Sequence, residues 1–243
     1  MRSEGSPIRT QHGGGLTNSK LVRASFANTI GTIATFMLGF VVPPALVRWM
    51  APGQYSAFII ANRVGAFFAI LNLGVQIATT KRLSISLATE TPAQTSEVLA
   101  HATYRTRNAA IAGLLLVPLP TKFLHSFFPQ LPNSVVSQTR LAIALFVASS
   151  LAALLLVPHY SLLVAAHRLG RSVAFQVSVR VLTGICLVVL AKAGVGVAGM
   201  AAMTGAGTIG VALGTRASAR HAFPSITTPL FGRRSKTDRK SVV

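Results

Sequence analysis

Residues 43–84 read PPALVRWMAPGQYSAFIIANRVGAFFAILNLGVQIATTKRLS, and this stretch decides the fold. It contains the end of one long apolar segment, a polar turn at Ala51-Pro52-Gly53-Gln54-Tyr55, a second long apolar segment and a basic stop at Lys81-Arg82. Adjacent Pro and Gly break a helix and reverse the chain. The apolar arms approach the roughly 20 residues that a helix needs to cross a bilayer, so the stretch reads as a membrane hairpin. Arg63 lies inside the second arm, about two turns from its start. A charge within a span is costly, tends to face a water-filled cavity and marks function.

Composition points the same way. Of 243 residues, 51% are hydrophobic and 11% charged, whereas a soluble surface carries roughly 25–35% charged residues of mixed sign. The 23 Lys and Arg against 4 Asp and Glu give a net charge of +19. That excess suggests nucleic acid until its distribution is considered. The basic residues cluster between apolar segments, as in integral membrane proteins whose loops face anionic lipid, so no nucleic-acid partner is expected. The lone cysteine, Cys186, excludes an internal disulfide and reads as a packing residue.

The remaining chain supports an all-α integral membrane protein with six spans. Residues 1–22 are polar and Gly-rich and read as a disordered cytoplasmic tail. The bundle occupies residues 23–214. Its first span is Ala24 to about Val47, with Asn28, Thr29, Thr32 and Thr35 expected to pack against neighbouring helices and Pro43-Pro44 to end or kink the helix. Trp49 follows as an interfacial anchor. The second span runs from about Ser56 to Thr79. Residues 83–107 read as a loop or surface helix, with Thr91-Pro92 a helix start. The third span begins near Asn108 and is kinked by Pro118 and Pro120. The fourth runs from Leu141 to Ala166, where His159 and Tyr160 are expected to pack. The fifth, Val173 to Ala191, carries Gln176 and a second intramembrane charge, Arg180, on one face. The sixth is Val195 to Leu213, in which Ala202, Ala206, Gly210 and Gly214 form a small-residue contact stripe. Residues 215–243 read as a basic cytoplasmic tail. With six spans and the N-terminus inside, 17 of the 23 basic residues fall in inner segments. Both termini are therefore expected in the cytoplasm.

The segments PALVRWMAPGQY (Pro44–Tyr55) and LNLGVQIATTKR (Leu71–Arg82), at this spacing, resemble the opening helices of the polysaccharide-export flippases. These belong to the superfamily that includes multidrug and toxin extrusion transporters and lipid II flippases. Leu154–Leu190 looks like that family's fourth and fifth helices, and Gly194–Gly207 like the start of its sixth. Gln54, Ser56 and Asn72 depart from residues common there. The resemblance implies a fold like the N-terminal six-helix half of a twelve- or fourteen-helix flippase. It further implies a bacterial inner-membrane location, and a second bundle contributed by a homodimer or another partner. The implied cargo is a polyprenyl-diphosphate-linked saccharide.

The residues themselves favour an anionic cargo. Glu4, Glu90, Glu97 and Asp238 all lie outside the expected spans. That weakens a cationic-drug exporter, which needs a membrane carboxylate, and a metal-dependent membrane transferase. Nucleotide-binding glycine motifs are absent. No enzyme activity, metal or cofactor is therefore expected. Arg63 and Arg180 are the charges left in the membrane, and a guanidinium fork suits phosphate oxygens. With the cargo implied by the resemblance, Arg63 and Arg180 would contact the diphosphate, and Asn62, Gln76 and Gln176 would hydrogen-bond sugars. The other readings are a non-transporting remnant or scaffold, and a small-molecule exporter of the same superfamily.

Overall fold

The computed structural model describes residues 18–129, 133–168 and 170–226. Among these residues the chain is helical and contains no strand. Helix α1 spans Asn18–Trp49, α2 Pro52–Thr89, α3 Pro92–Leu115, α4 Pro118–Lys122, α5 Leu124–Phe127, α6 Asn133–Leu154, α7 Val157–Ala165, α8 Gly170–Lys192 and α9 Val197–Ala222. Among the described residues three stretches are long and apolar enough to cross a membrane: Val135–Leu154, Ser172–Lys192 and Val197–Ala222. Helix α1 supplies a shorter apolar segment, Thr35–Trp49.

Several expected boundaries shift, each for a local reason. Pro43 and Pro44 lie inside α1, which continues to Trp49. Lys81 and Arg82 do not end α2; they are exposed and the helix runs on to Thr89. Helix α3 begins at Pro92, the expected helix start, and runs on through Asn108 to Leu115 without a new start there. Thr91 caps it, with its side chain and that of Gln94 satisfying each other's backbone N–H groups. Pro158 stops the fourth apolar segment from forming one helix, because it lacks the N–H that would bond to the Leu154 carbonyl; α6 therefore ends at Leu154 and α7 begins at Val157. Helix α9 carries helical structure past residue 214 into the expected tail, burying Thr215, Arg216 and Ala219. The calls on residues 1–17 and 227–243 lie outside the described residues, as does the side chain of Asn72.

Two ends of the bundle can be told apart. At the turn end, α1 passes into α2 through Met50 and Ala51, and Lys192 at the end of α8 lies 5.6 Å from the centre of the Trp49 ring. At the opposite, basic end are Lys81, Arg82, Arg168 and Arg220, all exposed. There a small cluster of Leu83, Leu99, Leu162 and Ile226 binds the ends of α2, α3, α7 and the segment after α9. The main core includes Leu46, Phe58, Phe146, Val147, Leu187 and Met200, drawn from α1, α2, α6, α8 and α9.

Helix α1 packs along α8 and makes only slight contact with α2. Helix α9 bridges α8 and α6. Glycine makes that bridge close: a Cβ at Gly207 would lie 2.4 Å from Thr183 Oγ1, and one at Gly214 would lie 2.0 Å from the Phe175 ring. Gly205 faces α6 in the same way, with Ser149 Cβ at 3.1 Å. The expected small-residue stripe is thus only half used. Gly210 and Gly214 face α8, but Ala202 and Ala206 are exposed, and the contact is carried instead by Gly205, Gly207 and Gly214.

Gly207→Ala is therefore expected to destabilise the bundle by about 1–3 kcal/mol, the usual cost of overpacking. Thermal unfolding in detergent, with Ala206→Gly on the exposed side as control, measures this.

Candidate functional site

Between α1, α2, α7, α8 and α9 lies a cavity of about 640 Å³, within the size range of small-molecule sites. Its position follows from the packing: α1 leaves the turn along α8, so its lower half stands away from α2, and α9 and the α6–α7 break form the back wall.

Four of the five site residues expected from sequence line this space: Asn62 and Gln76 from α2, and Gln176 and Arg180 from α8. Gln176 and Arg180 share a face because they are four residues apart, and Thr183 and Leu187 continue that face into the cavity. On α2, Phe58, Asn62 and Gln76 lie within about 40° of one another at 100° per residue. Arg63 is the exception. One residue past Asn62, it is turned by about 100°; it is exposed and does not line the cavity. Both arginines that looked equivalent in the sequence are exposed, but only Arg180 lines the cavity.

Sequence reasoning missed other lining groups. Thr35 and Tyr160, expected to pack, line the cavity, as do Thr204, Thr208 and Thr215 of α9. The α9 threonines carried a readable signal, since steps of four and seven place hydroxyls on one stripe of an apolar helix. Tyr160 had none, because the α6–α7 break fixes its direction.

The polar groups are ordered. Gln176 Nε2 donates to Ser172 Oγ at 3.2 Å, Ser172 and Thr215 hydroxyls are bonded at 3.3 Å, and Thr215 Oγ1 donates to the Val211 carbonyl at 2.8 Å. This chain ties α8 to α9 beneath the cavity. Thr35, Thr183, Thr204 and Thr208 each donate to the carbonyl four residues earlier, at 2.8–3.0 Å. Their hydroxyl protons are thereby committed, and their lone pairs remain available as acceptors. Pro43, which lines the cavity beside Gly39, offers no N–H to the Gly39 carbonyl, adding a backbone acceptor to the wall.

Polarity is graded along the cavity. Leu46, Phe58 and Leu187 close its turn end and are only 2%, 4% and 7% exposed. Gln76, Tyr160, Gln176 and Thr215 lie towards the basic end. Arg180 is near the middle of α8 and, among the described residues, is the one formally charged lining side chain, with no acid beside it in the lining. Among the described residues no group of three or more His, Cys, Asp or Glu side chains is placed to hold a metal. What the arrangement can do is hold a polar, anionic group at Arg180 among hydroxyl and amide partners, with apolar matter towards the turn.

No protein-family model, no curated protein and no solved structure matches the chain.

Thr215→Val removes the middle of the Gln176–Ser172–Thr215 chain while keeping shape. It is expected to cost about 1 kcal/mol, the usual net value of a hydrogen bond. Thermal unfolding of this variant beside Ser178→Ala, whose hydroxyl bonds only within α8 on an exposed face, provides the check.

Proposed function

We propose that this chain is a membrane transporter of the flippase type, moving a polyprenyl-diphosphate-linked saccharide across a bacterial inner membrane. The observation that carries the reading is the cavity whose one charge is Arg180 and whose other polar groups are amides and hydroxyls. A guanidinium fork matches diphosphate oxygens, and neutral amides and hydroxyls match sugar hydroxyls. A cationic cargo would find no counter-charge there. The resemblance of Pro44–Tyr55 and Leu71–Arg82 to the polysaccharide-export flippases supports the same cargo.

On this reading the six spans are α1, α2, α3 with α4 and α5, α6 with α7, α8 and α9. The basic end then faces the cytoplasm, with both termini inside. The polar part of the cavity lies towards the leaflet from which the cargo is taken, and Leu46, Phe58 and Leu187 seal the far side. Gln76, Gln176 and Asn62 hydrogen-bond the saccharide. A second bundle, from another copy or another chain, faces the exposed side of α2 and brings Arg63 into a shared aqueous space. Rocking of the two bundles gives alternating access.

The test is transbilayer movement of a fluorescent polyprenyl-diphosphate-linked sugar in proteoliposomes. Arg180→Gln is expected to lower the rate about ten- to a hundredfold, the loss of charge-assisted hydrogen bonds. Arg180→Lys keeps the charge but not the fork, and is expected to recover part of that loss. Gly39→Leu, at a position where a Cβ meets nothing within 4 Å, fills the cavity and stops transport while the protein stays folded. Normal rates in both Arg180→Gln and Gly39→Leu would remove the cavity from the mechanism. Arg63→Ala, measured with the oligomeric state in nanodiscs, tests the second bundle: lost transport by a dimer is expected.

A further inference from the structure

Two apolar segments end side by side at the turn end of the bundle. That of α1, Thr35–Trp49, ends at Trp49, and that of α8, Ser172–Lys192, ends at Lys192. The two helices run in the same direction, with Gly31 beside Val177 and Gly184 beside Val42, so both segments end at one level. In a bilayer that level is the boundary between hydrocarbon and headgroups, where tryptophan collects. Lys192 Nζ lies 5.6 Å from the centre of the Trp49 ring, and the Arg48 guanidinium carbon 5.7 Å from it. Each cation is attracted to the ring, while the two repel one another. All three side chains are exposed. The acids among the described residues, Glu90 and Glu97, are at the opposite end. Seven residues back from each cation, close to two turns, an exposed apolar side chain stands on the same face. Behind Arg48 it is Val41, 59% exposed, and behind Lys192 it is Ile185, 55% exposed.

We propose that Arg48, Trp49 and Lys192 form a site for one anionic phospholipid of the turn-side leaflet, outside the cavity and at the seam between α1 and α8. The cations take the phosphate, Lys192 as a point charge and Arg48 through its guanidinium fork. The indole holds both cations at headgroup level. The acyl chains run past Val41 and Ile185, about 10 Å deeper at 1.5 Å per residue, so the same two helices meet head and tail. Headgroup charge decides which lipid is held. A zwitterionic lipid brings a choline cation that is repelled by Arg48 and Lys192 and competes with them for the ring. A lipid with a net negative headgroup does neither, and neutralises the pair. The bound lipid also bridges the ends of α1 and α8, the pairing that opens the cavity between α1 and α2. This inference needs a bilayer around the apolar segments and is independent of the cargo assigned above.

Trp49 is the chain's one tryptophan, so its fluorescence reads this site alone. The test places the full chain in phosphatidylcholine vesicles and titrates in phosphatidylglycerol or phosphatidylcholine with brominated acyl chains, which quench an indole beside them. Phosphatidylglycerol is expected to bind about twentyfold more tightly than phosphatidylcholine, about fivefold for each cation beside an anionic headgroup. Arg48→Gln and Lys192→Gln are each expected to lower that preference about fivefold. Each variant is read as its own ratio between two lipids, so a change in indole brightness cancels, and either variant decides if the other does not fold. Arg140 is an exposed arginine on α6, two residues from Gln138, whose side chain meets Gly196 just after α8; Arg140→Gln is expected to leave the preference unchanged. Soluble glycerol phosphate in excess is expected not to displace the lipid. Equal quenching by the two lipids overturns the proposal. So does a preference retained in Arg48→Gln and Lys192→Gln, or one that Arg140→Gln lowers as far as Lys192→Gln, the mark of diffuse surface charge. Displacement by glycerol phosphate overturns it too, in favour of a site for free phosphate. No cargo is present, so the result is separate from that of the transport assay.

Discussion

Helices α1 and α2 are joined by two residues, yet α1 lies along α8 and barely touches its neighbour in sequence. That separation makes the cavity. Its origin is steric: Gly184 on α8 lets Leu38 and Val42 of α1 approach to 3.2 and 3.3 Å of a notional Cβ, and Gly31 on α1 admits Val177 of α8 at 2.9 Å. Close backbone approach is how helices gain dispersion energy where burial from water does not drive them together. The close approach at Gly31 and Gly184 commits α1 to α8, and the space between α1 and α2, which Gly39 lines, stays open.

The back wall depends on the same economy. Gly207 and Gly214 bring α9 against α8, and Gly205 brings it against α6. Once these contacts exist, the threonines of α9 on the intervening stripe have only the cavity to face. Their hydroxyls are tied to their own helix, which spares the apolar interior an unpaired donor while leaving acceptors on the surface of the space. The polar lining is therefore compatible with an apolar bundle, and Arg180 is tolerated because it faces that lining.

At the basic end a different set of contacts operates. Leu83, Leu99, Leu162 and Ile226 join α2, α3, α7 and the segment after α9 into a second small core, reinforced at the α2–α3 turn by Ser86, which bonds both Thr95 and the Glu90 carboxylate. Among the described residues, no side chain of α1 or α8 belongs to it. Helix α8 is held to α9 towards the same end by the Ser172–Thr215 hydroxyl contact and by the Phe175 ring against Gly214. Arg168 donates to the Ala222 carbonyl where the chain after α7 meets the end of α9.

Much of this was legible in the sequence. The chain reversal just before Pro52-Gly53, the helical class, the shared face of Gln176 and Arg180, and the candidacy of Asn62 and Gln76 follow from turn chemistry, apolar length, helix periodicity and the rarity of polar residues in apolar runs. Those are properties of one helix at a time, and one helix is all that periodicity describes. Which face of α2 turns inward, and hence that Asn62 lines the cavity and Arg63 does not, was decided by packing against α6 and α7. So was the placing of Tyr160 and Thr35 in the wall, and the burial of His159. A helix presents every face equally in its sequence. Only the neighbours it packs against choose between them, and those neighbours are set by close contacts at Gly31, Gly184, Gly205, Gly207 and Gly214, whose partners lie far away along the chain.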